Sequence, residues 1–378
     1  MKIEQAVWKA SEAWNPGLLS DLGAAAQLVL LFGSTAAIGD DALMNRVRSL
    51  YPNAYLFGCS TAGEILATQV FDDTLAITAC AFEHTTLRTA EVNLSDFADS
   101  FAAGKSLARA VSHEQLAHVL VLSDGLGVNG SELVKGIVQN LPPGVAVTGG
   151  LSADGSRFNK TLVCAGGAST SGKIAAIGFI GDRLRVSFGS MGGWDTFGPE
   201  RIVTKSAGNV LYELDGQNAL ALYKRYLAEH AAGLPSTGLL FPLSIWNSDG
   251  GQPVVRTILA VNEADQSMTF AGDIPVGCHA RLMRANMERL IDGAQGAART
   301  CYESLNGSAA ELGILISCVG RKLVLKQRIE EEIEAVADIL PGTALTGFYS
   351  YGEISPFTPT ARCELHNQTM TITTLREV

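Results

Sequence analysis

Residues 54–65 read AYLFGCSTAGEI, and residues 344–355 read ALTGFYSYGEIS. Laid over one another, Gly58 meets Gly347, Gly63 meets Gly352, Glu64 meets Glu353 and Ile65 meets Ile354. The resemblance continues upstream. LVLLFG (28–33) and LGILISCVG (312–320) are apolar runs of strand type, followed by the amphipathic segments DDALMNRVRSL (40–50) and KQRIEEEIEAVADIL (326–340). In the first segment Leu43, Val47 and Leu50 recur at helical spacing. A third copy lies between them: HVLVLSDG (118–125), NGSELVKGIVQNL (129–141) and VAVTGGLSADG (145–155). Its turn keeps the outer glycines, Gly149 and Gly155, but has Asp154-Gly155 where the others have Gly-Glu. A further strand with a Thr-apolar pair is expected after each turn, in FDDTLAIT (71–78), FNKTLVC (158–164) and HNQTMTIT (366–373).

Strand, helix, strand implies a parallel pair with a right-handed crossover. The following strand reads as an antiparallel extension of the same sheet. The expected class is therefore α/β, with two α/β domains of mixed sheets flanked by helices and repeated β-α-β-Gly-turn-β units. Two domains also suit 378 residues, a length at which one core would be oversized. The Gly-rich segment 189–216 marks a boundary within 190–215, before a helix at 218–228 for which Asp215 is the expected N-cap.

Lys and Arg number 28 against 38 Asp and Glu, giving a net charge of −10. That balance argues against wrapping nucleic acid or sitting on an anionic membrane. The seven cysteines show no CxxC spacing, so a disulfide framework or structural zinc site lacks support, and reduced cytoplasmic thiols are expected. The N-terminal stretch has no uninterrupted apolar run of the kind a secretory signal needs. P-loop, GxSxG and HExxH patterns do not occur. GLGVNG (125–130) has the letters of a dinucleotide fingerprint without the acidic residue that should follow about 20 positions on.

The candidate residues follow from the repeat. Gly58, Glu64, Gly352 and Glu353 read either as tight-turn residues or as the wall of a pocket. Cys59 reads as buried packing or, with a base nearby, as a nucleophile. The position held by Phe71 and Phe158 ahead of the Thr strand is His366 in the third unit. An imidazole in a phenyl slot departs from the chain's own pattern, and such departures tend to mark function. His279, in GCHARLMRAN, is the second candidate ligand.

GCSTAGEI (58–65), GGWDTFGPERIVTKSAGNVLYELDG (192–216), GFYSYGEISP (347–356) and CELHNQTMTI (363–372) together resemble the FIST sensory proteins, over about residues 25 to 375. The resemblance implies an N-terminal extension over 1–24, a FIST N-terminal domain over 25–205 and a FIST C-terminal domain over 206–378. It implies a soluble, bacterial small-ligand sensor, not an enzyme, with no nucleic acid and no membrane as partner. Stand-alone members bind haem b, sense nitric oxide and regulate a histidine kinase or a cyclic-di-GMP enzyme. On that reading His366 is the iron ligand, with His279 second. Tyr349, Tyr351 and Phe357 would flank the macrocycle, Arg321 or Arg362 would meet the propionates, and Gly58, Glu64, Gly352 and Glu353 would complete the pocket. The alternatives are a FIST-type sensor of a non-haem metabolite such as an amino acid, or an enzyme using Cys59 or Glu353.

Overall fold

The computed structural model describes residues 1–11, 21–247, 253–357 and 361–378, so part of the expected N-terminal extension, 12–20, lies outside the described residues. The first unit holds β1 (Lys2–Lys9), β2 (Leu28–Gly33), α1 (Thr35–Ile38), α2 (Asp41–Leu50), β3 (Tyr55–Ser60), the hairpin β4 (Glu64–Leu66) and β5 (Gln69–Phe71), and β6 (Thr74–Ala81). The second holds β7 (Thr86–Asn93), α3 (Ser100–Val111), β8 (Leu116–Ser123), α4 (Gly130–Val138), β9 (Ala146–Leu151), the hairpin β10 (Val163–Ala165) and β11 (Ala168–Thr170), and β12 (Lys173–Ile180). The third opens with β13 (Leu184–Met191) and is then interrupted. The interrupting module comprises β14 (Asp195–Ala207), β15 (Val210–Leu214), β16 (Gln217–Asn218), α5 (Ala219–Leu227), β17 (Leu243–Trp246), β18 (Val254–Arg256), β19 (Ile258–Asn262), β20 (Ser267–Phe270) and β21 (His279–Arg284). The third unit resumes with α6 (Met287–Ser304), β22 (Leu312–Cys318), α7 (Val319–Leu325), α8 (Ile329–Ile339), β23 (Ala344–Ser350), the hairpin β24 (Gly352–Pro356) and β25 (Cys363–His366), and β26 (Met370–Glu377).

Three six-stranded sheets obey one rule: β1-β6-β2-β3-β10-β11, β7-β12-β8-β9-β24-β25 and β13-β26-β22-β23-β4-β5. In each, the central pair is parallel, as β2/β3, β8/β9 and β22/β23. The fifth and sixth strands always come from another unit. The first unit lends its hairpin to the third, the third to the second, and the second to the first. The mixed α/β class expected from the sequence holds. The inserted module adds an eight-stranded sheet with its own core, including Leu211, Tyr223, Phe270 and Leu282. The expected boundary at 205/206 falls inside β14.

The repeated glycines have a steric cause. Gly58, Gly149 and Gly347 sit opposite Leu31, Val121 and Leu315 of their parallel neighbours. A Cβ on them would lie 1.9, 1.9 and 1.8 Å from those residues' carbonyl oxygens. No neighbouring side-chain rotation relieves a clash with backbone. Gly347→Ala should therefore cost about 1–3 kcal/mol of stability, read by urea unfolding.

Two local expectations are corrected. FNKTLVC is not the sheet-extending strand of its unit. It leads into the lent strand β10, and β12 does the extending. Phe158 is thus not equivalent to Phe71 and His366, which are equivalent: Phe71 pairs with Glu64 and His366 with Glu353. Asp215 does not cap α5, whose N-cap is Asn218. Asp215 instead accepts from the Ile202 N–H at 2.8 Å and from Arg201 at 3.0 Å.

Candidate functional site

The three Gly turns do converge. The Ala62 N–H donates to the Tyr349 carbonyl at 2.8 Å, the Tyr349 N–H to Gly63 at 2.9 Å, the Ala153 N–H to Ser60 at 2.8 Å and the Tyr351 N–H to Leu151 at 3.3 Å. They meet as packed backbone, with Ser60, Thr61, Ser152, Ala153 and Ser350 all buried. Glu64 accepts from the Thr61 hydroxyl at 2.5 Å and from the Thr74 N–H and hydroxyl at 3.2 and 2.7 Å. Glu353 repeats the pattern with the Ser350 hydroxyl at 2.6 Å and the Thr369 N–H and hydroxyl at 3.1 and 3.0 Å. Each carboxylate ties its turn to the start of the returning strand. Burial pushes Glu64 up to about 7 and Glu353 up to about 8, against the opposing pull of those donors. In the second unit Asp154 takes this role, accepting from the N–H groups of Phe158, Asn159 and Lys160 and from the Tyr351 hydroxyl. Tyr351 also stacks on Phe158 at 4.4 Å between centroids, and Cys59 is fully buried with its thiol held up by desolvation.

The open space lies elsewhere. A cleft of about 910 Å³ is bounded by α4, by Phe357, Ala361, Arg362 and β25, and by β17, β18 and residues 273–278 of the inserted module. From α4 come Ser131, Val134, Lys135 and Val138, and from its C-cap Gln139, one helical face by spacing. Ile245, Trp246, Val254 and Phe357 add apolar and aromatic wall. The N-cap of α4 also bridges the two bodies. Asn129 accepts from the Glu132 N–H at 3.1 Å and donates to Asp273 at 3.0 Å.

Charge enters the cleft through Lys135, Arg362, Asp273, Glu364 and Arg256. Arg256 is only 6% exposed. Its Nε donates to the Asp273 carbonyl at 3.2 Å, and its Nη1 to the Leu365 and Val255 carbonyls at 2.9 and 3.4 Å. Burial lowers its pKa, partly offset by Glu364 and Asp273. The thiol of Cys278, also on the wall, is pushed up to about 11 by burial.

The residues expected to bind a ligand are therefore distributed. Gly58, Glu64, Tyr349, Tyr351, Gly352 and Glu353 belong to the packed turns and are not among the described lining residues. Phe357 and Arg362 do line the cleft. Arg321 instead forms a fully buried pair with Glu332. His366 is buried, its Nε2–H donating to the Ser355 carbonyl at 2.7 Å while Nδ1 has no partner. Its ring stands nearly perpendicular to Phe357, centroids 4.1 Å apart. Desolvation lowers it to about 4, so it is neutral. His279 meets Glu200 at 2.6 Å and stacks on the cleft residue Trp246 at 5.5 Å.

The residues of the cleft do not fit a haem. Among the described lining residues there is no imidazole, thioether or phenol to reach iron, and burial disfavours the thiolate of Cys278 and of Cys363. The unpartnered Nδ1 of His366 belongs to a ring that packs against the lining residue Phe357 and is not itself among the described lining residues. Sequence reasoning missed Arg256. The signal was there in VVRT (254–257), where strand alternation puts an arginine in phase with the inward Val254.

The architecture defines an α/β protein in which repeated units and an inserted module enclose a ligand-sized cleft. The chain belongs to the FIST family: the FIST N domain model matches residues 27–217 and the FIST C domain model residues 219–356. These domains mark a small-ligand sensor in signal transduction. Two uncharacterized proteins of Mycobacterium tuberculosis, from strains CDC 1551 / Oshkosh and ATCC 25618 / H37Rv, are each 25% identical over 254 residues, covering 63% of this chain and 63% of theirs. Among solved structures, PurLQS from Thermotoga maritima aligns over 100% of this chain and 72% of its own with 8% identity and a TM-score of 0.22, too low to inform the fold. No helix among the described residues is long and apolar enough to cross a membrane.

Proposed function

We propose that the protein senses a small non-haem metabolite, such as an amino acid, held in the cleft between α4, β25 and the inserted module, and that it performs no chemistry on it. The observation that carries this reading is the composition of the cleft. An apolar and aromatic wall is combined with charges of both signs, and the enclosing elements belong to two bodies. A ligand touching both bodies biases how they sit together, and that bias is what a partner protein would read. A switch of about 100-fold needs roughly 3 kcal/mol of preference for one state.

Val138, the last residue of α4, lines the cleft. Val138→Trp should fill the cleft while leaving the packed turns untouched. Thermal shift across a metabolite library is expected to give stabilising ligands for the wild type and none for this variant. Ligands that stabilise both equally would place the site elsewhere.

A second reading, haem-dependent sensing of nitric oxide that controls a histidine kinase or cyclic-di-GMP enzyme, has the unpartnered Nδ1 of His366 in its favour. Its test is an absorption spectrum of protein expressed with haem supply. A Soret band lost in His366→Ala would support it, and no band would remove it.

A further inference from the structure

A guanidinium nine-tenths buried without a carboxylate partner is costly, because desolvation of the charge is repaid only by close counter-charge and full hydrogen bonding. The other deeply buried arginine, Arg321, meets that requirement with Glu332 at 2.7 Å. Arg256 does not. All three of its hydrogen bonds among the described residues go to neutral backbone carbonyls, from Nε and Nη1, and none is made by Nη2. Asp273 and Glu364 are near enough to influence it but form no ion pair with it. The site around it is built. A Cβ on Gly272 would lie 2.9 Å from its Nε and 3.1 Å from its Cζ, so the glycine lets the guanidinium lie against the backbone. Carbonyls from β25 and the 273 loop fix its plane. The group faces the cleft, with one nitrogen left to bond.

We infer that Arg256 is the anchor for the negative group of the ligand, and that the cleft takes a small carboxylate with an apolar body. This rests on the cleft being the ligand site. Among the described lining residues the charges agree with a single negative charge: Lys135, Arg256 and Arg362 face Asp273 and Glu364, a surplus of one cation. A phosphate carrying two charges would exceed it. The side chains of Val134, Val138, Ile245, Trp246 and Phe357 leave the ligand's body in apolar surroundings.

The test uses the full chain and a fixed probe panel: the twenty α-amino acids, benzoate and 3-phenylpropionate, with 3-phenylpropanamide and phenethylamine as counterparts lacking the carboxylate. Calorimetry is expected to show binding by members of the carboxylate set and none by the amide or amine. Arg256→Lys keeps the charge but loses the fork, and should weaken carboxylate binding about tenfold or more. Gly272→Ala keeps the arginine and displaces it, and should weaken binding in the same direction. It also guards against a lysine variant that fails to fold, which circular dichroism would reveal. Three results overturn the anchor: a wild type that binds no carboxylate of the panel, one that binds the amide as tightly as the acid, or two folded variants with unchanged affinity. If Val138→Trp still abolishes binding while both anchor variants leave it unchanged, the cleft stands and the anchor falls. If Val138→Trp leaves carboxylate binding intact, the cleft reading itself fails.

Discussion

Arg321→Met is expected to lower the unfolding free energy by about 3–5 kcal/mol, the cost of stranding a buried carboxylate. Arg321 and Glu332 are both fully buried, joined from Nε at 3.1 Å and Nη2 at 2.7 Å. Glu332 also accepts from the Tyr349 hydroxyl at 2.7 Å and from Ser317 at 3.2 Å. Removing the arginine leaves those donors in place but no counter-charge. It also strips the Gly192 and Leu290 carbonyls of donors now at 2.8 and 2.7 Å. Those carbonyls flank the points where the chain leaves the three-unit body for the inserted module and returns through α6. The loss therefore falls where the two bodies join. The double variant Arg321→Met/Glu332→Leu should recover much of the stability, because neither charge then remains buried. Tyr349→Phe removes one donor and should cost about 1–3 kcal/mol. Urea unfolding of the four proteins gives the comparison. A single variant within 1 kcal/mol of wild type would show that the pair is not holding this junction.

The same network explains why part of the molecule could be read from the sequence and part could not. The triple β-α-β pattern was legible because it is local: apolar runs, helical spacing and a glycine forced by a neighbour's carbonyl all lie within about 40 residues. The exchange of hairpins between units was not legible. Glu64 and Glu353 stand next to turns in any topology, and nothing in the spacing says that β4 pairs with β23 or β24 with β9. The FNKTLVC misalignment arose because a Thr ahead of an apolar pair occurs before both kinds of strand. Arg321 and Arg362 look alike in sequence, yet one is locked in an ion pair and the other lines the cleft. The cleft was hidden for the same reason. Its walls come from α4, β18 and β25, more than 100 residues apart in the chain, whereas the repeated Gly turns, which read as a pocket wall, meet in a centre that is solidly packed.

The packed turns make their own prediction, in the pH dependence of stability. Burial holds the proton on Glu353 to about pH 8 and on Glu64 to about pH 7, whereas in the unfolded chain both release it near the ordinary glutamate value of 4.5. Between those limits the unfolded state has fewer bound protons than the folded one, so these two groups make stability fall as pH rises, and above 8 the loss is complete and no longer changes with pH. His118 and His366 work in the opposite sense. Desolvation lowers them to about 3 and 4 from 6.5, so the unfolded chain takes up protons below 6.5 that the folded protein refuses, and stability falls as pH drops. From 4.5 to 6.5 two carboxyls and two imidazoles oppose one another and the curve is flat. From 6.5 to 8 the carboxyls act alone and it declines. Glu353→Gln isolates the effect, since an amide can donate to the Ser350 oxygen while its carbonyl accepts from Thr369, as the protonated acid does. The variant should equal wild type near pH 4.5 and exceed it increasingly up to pH 8, in urea titrations at constant ionic strength. Parallel curves for the two proteins from pH 5 to 8 would show that the carboxyl is ionised in the folded state, held by its three donors alone.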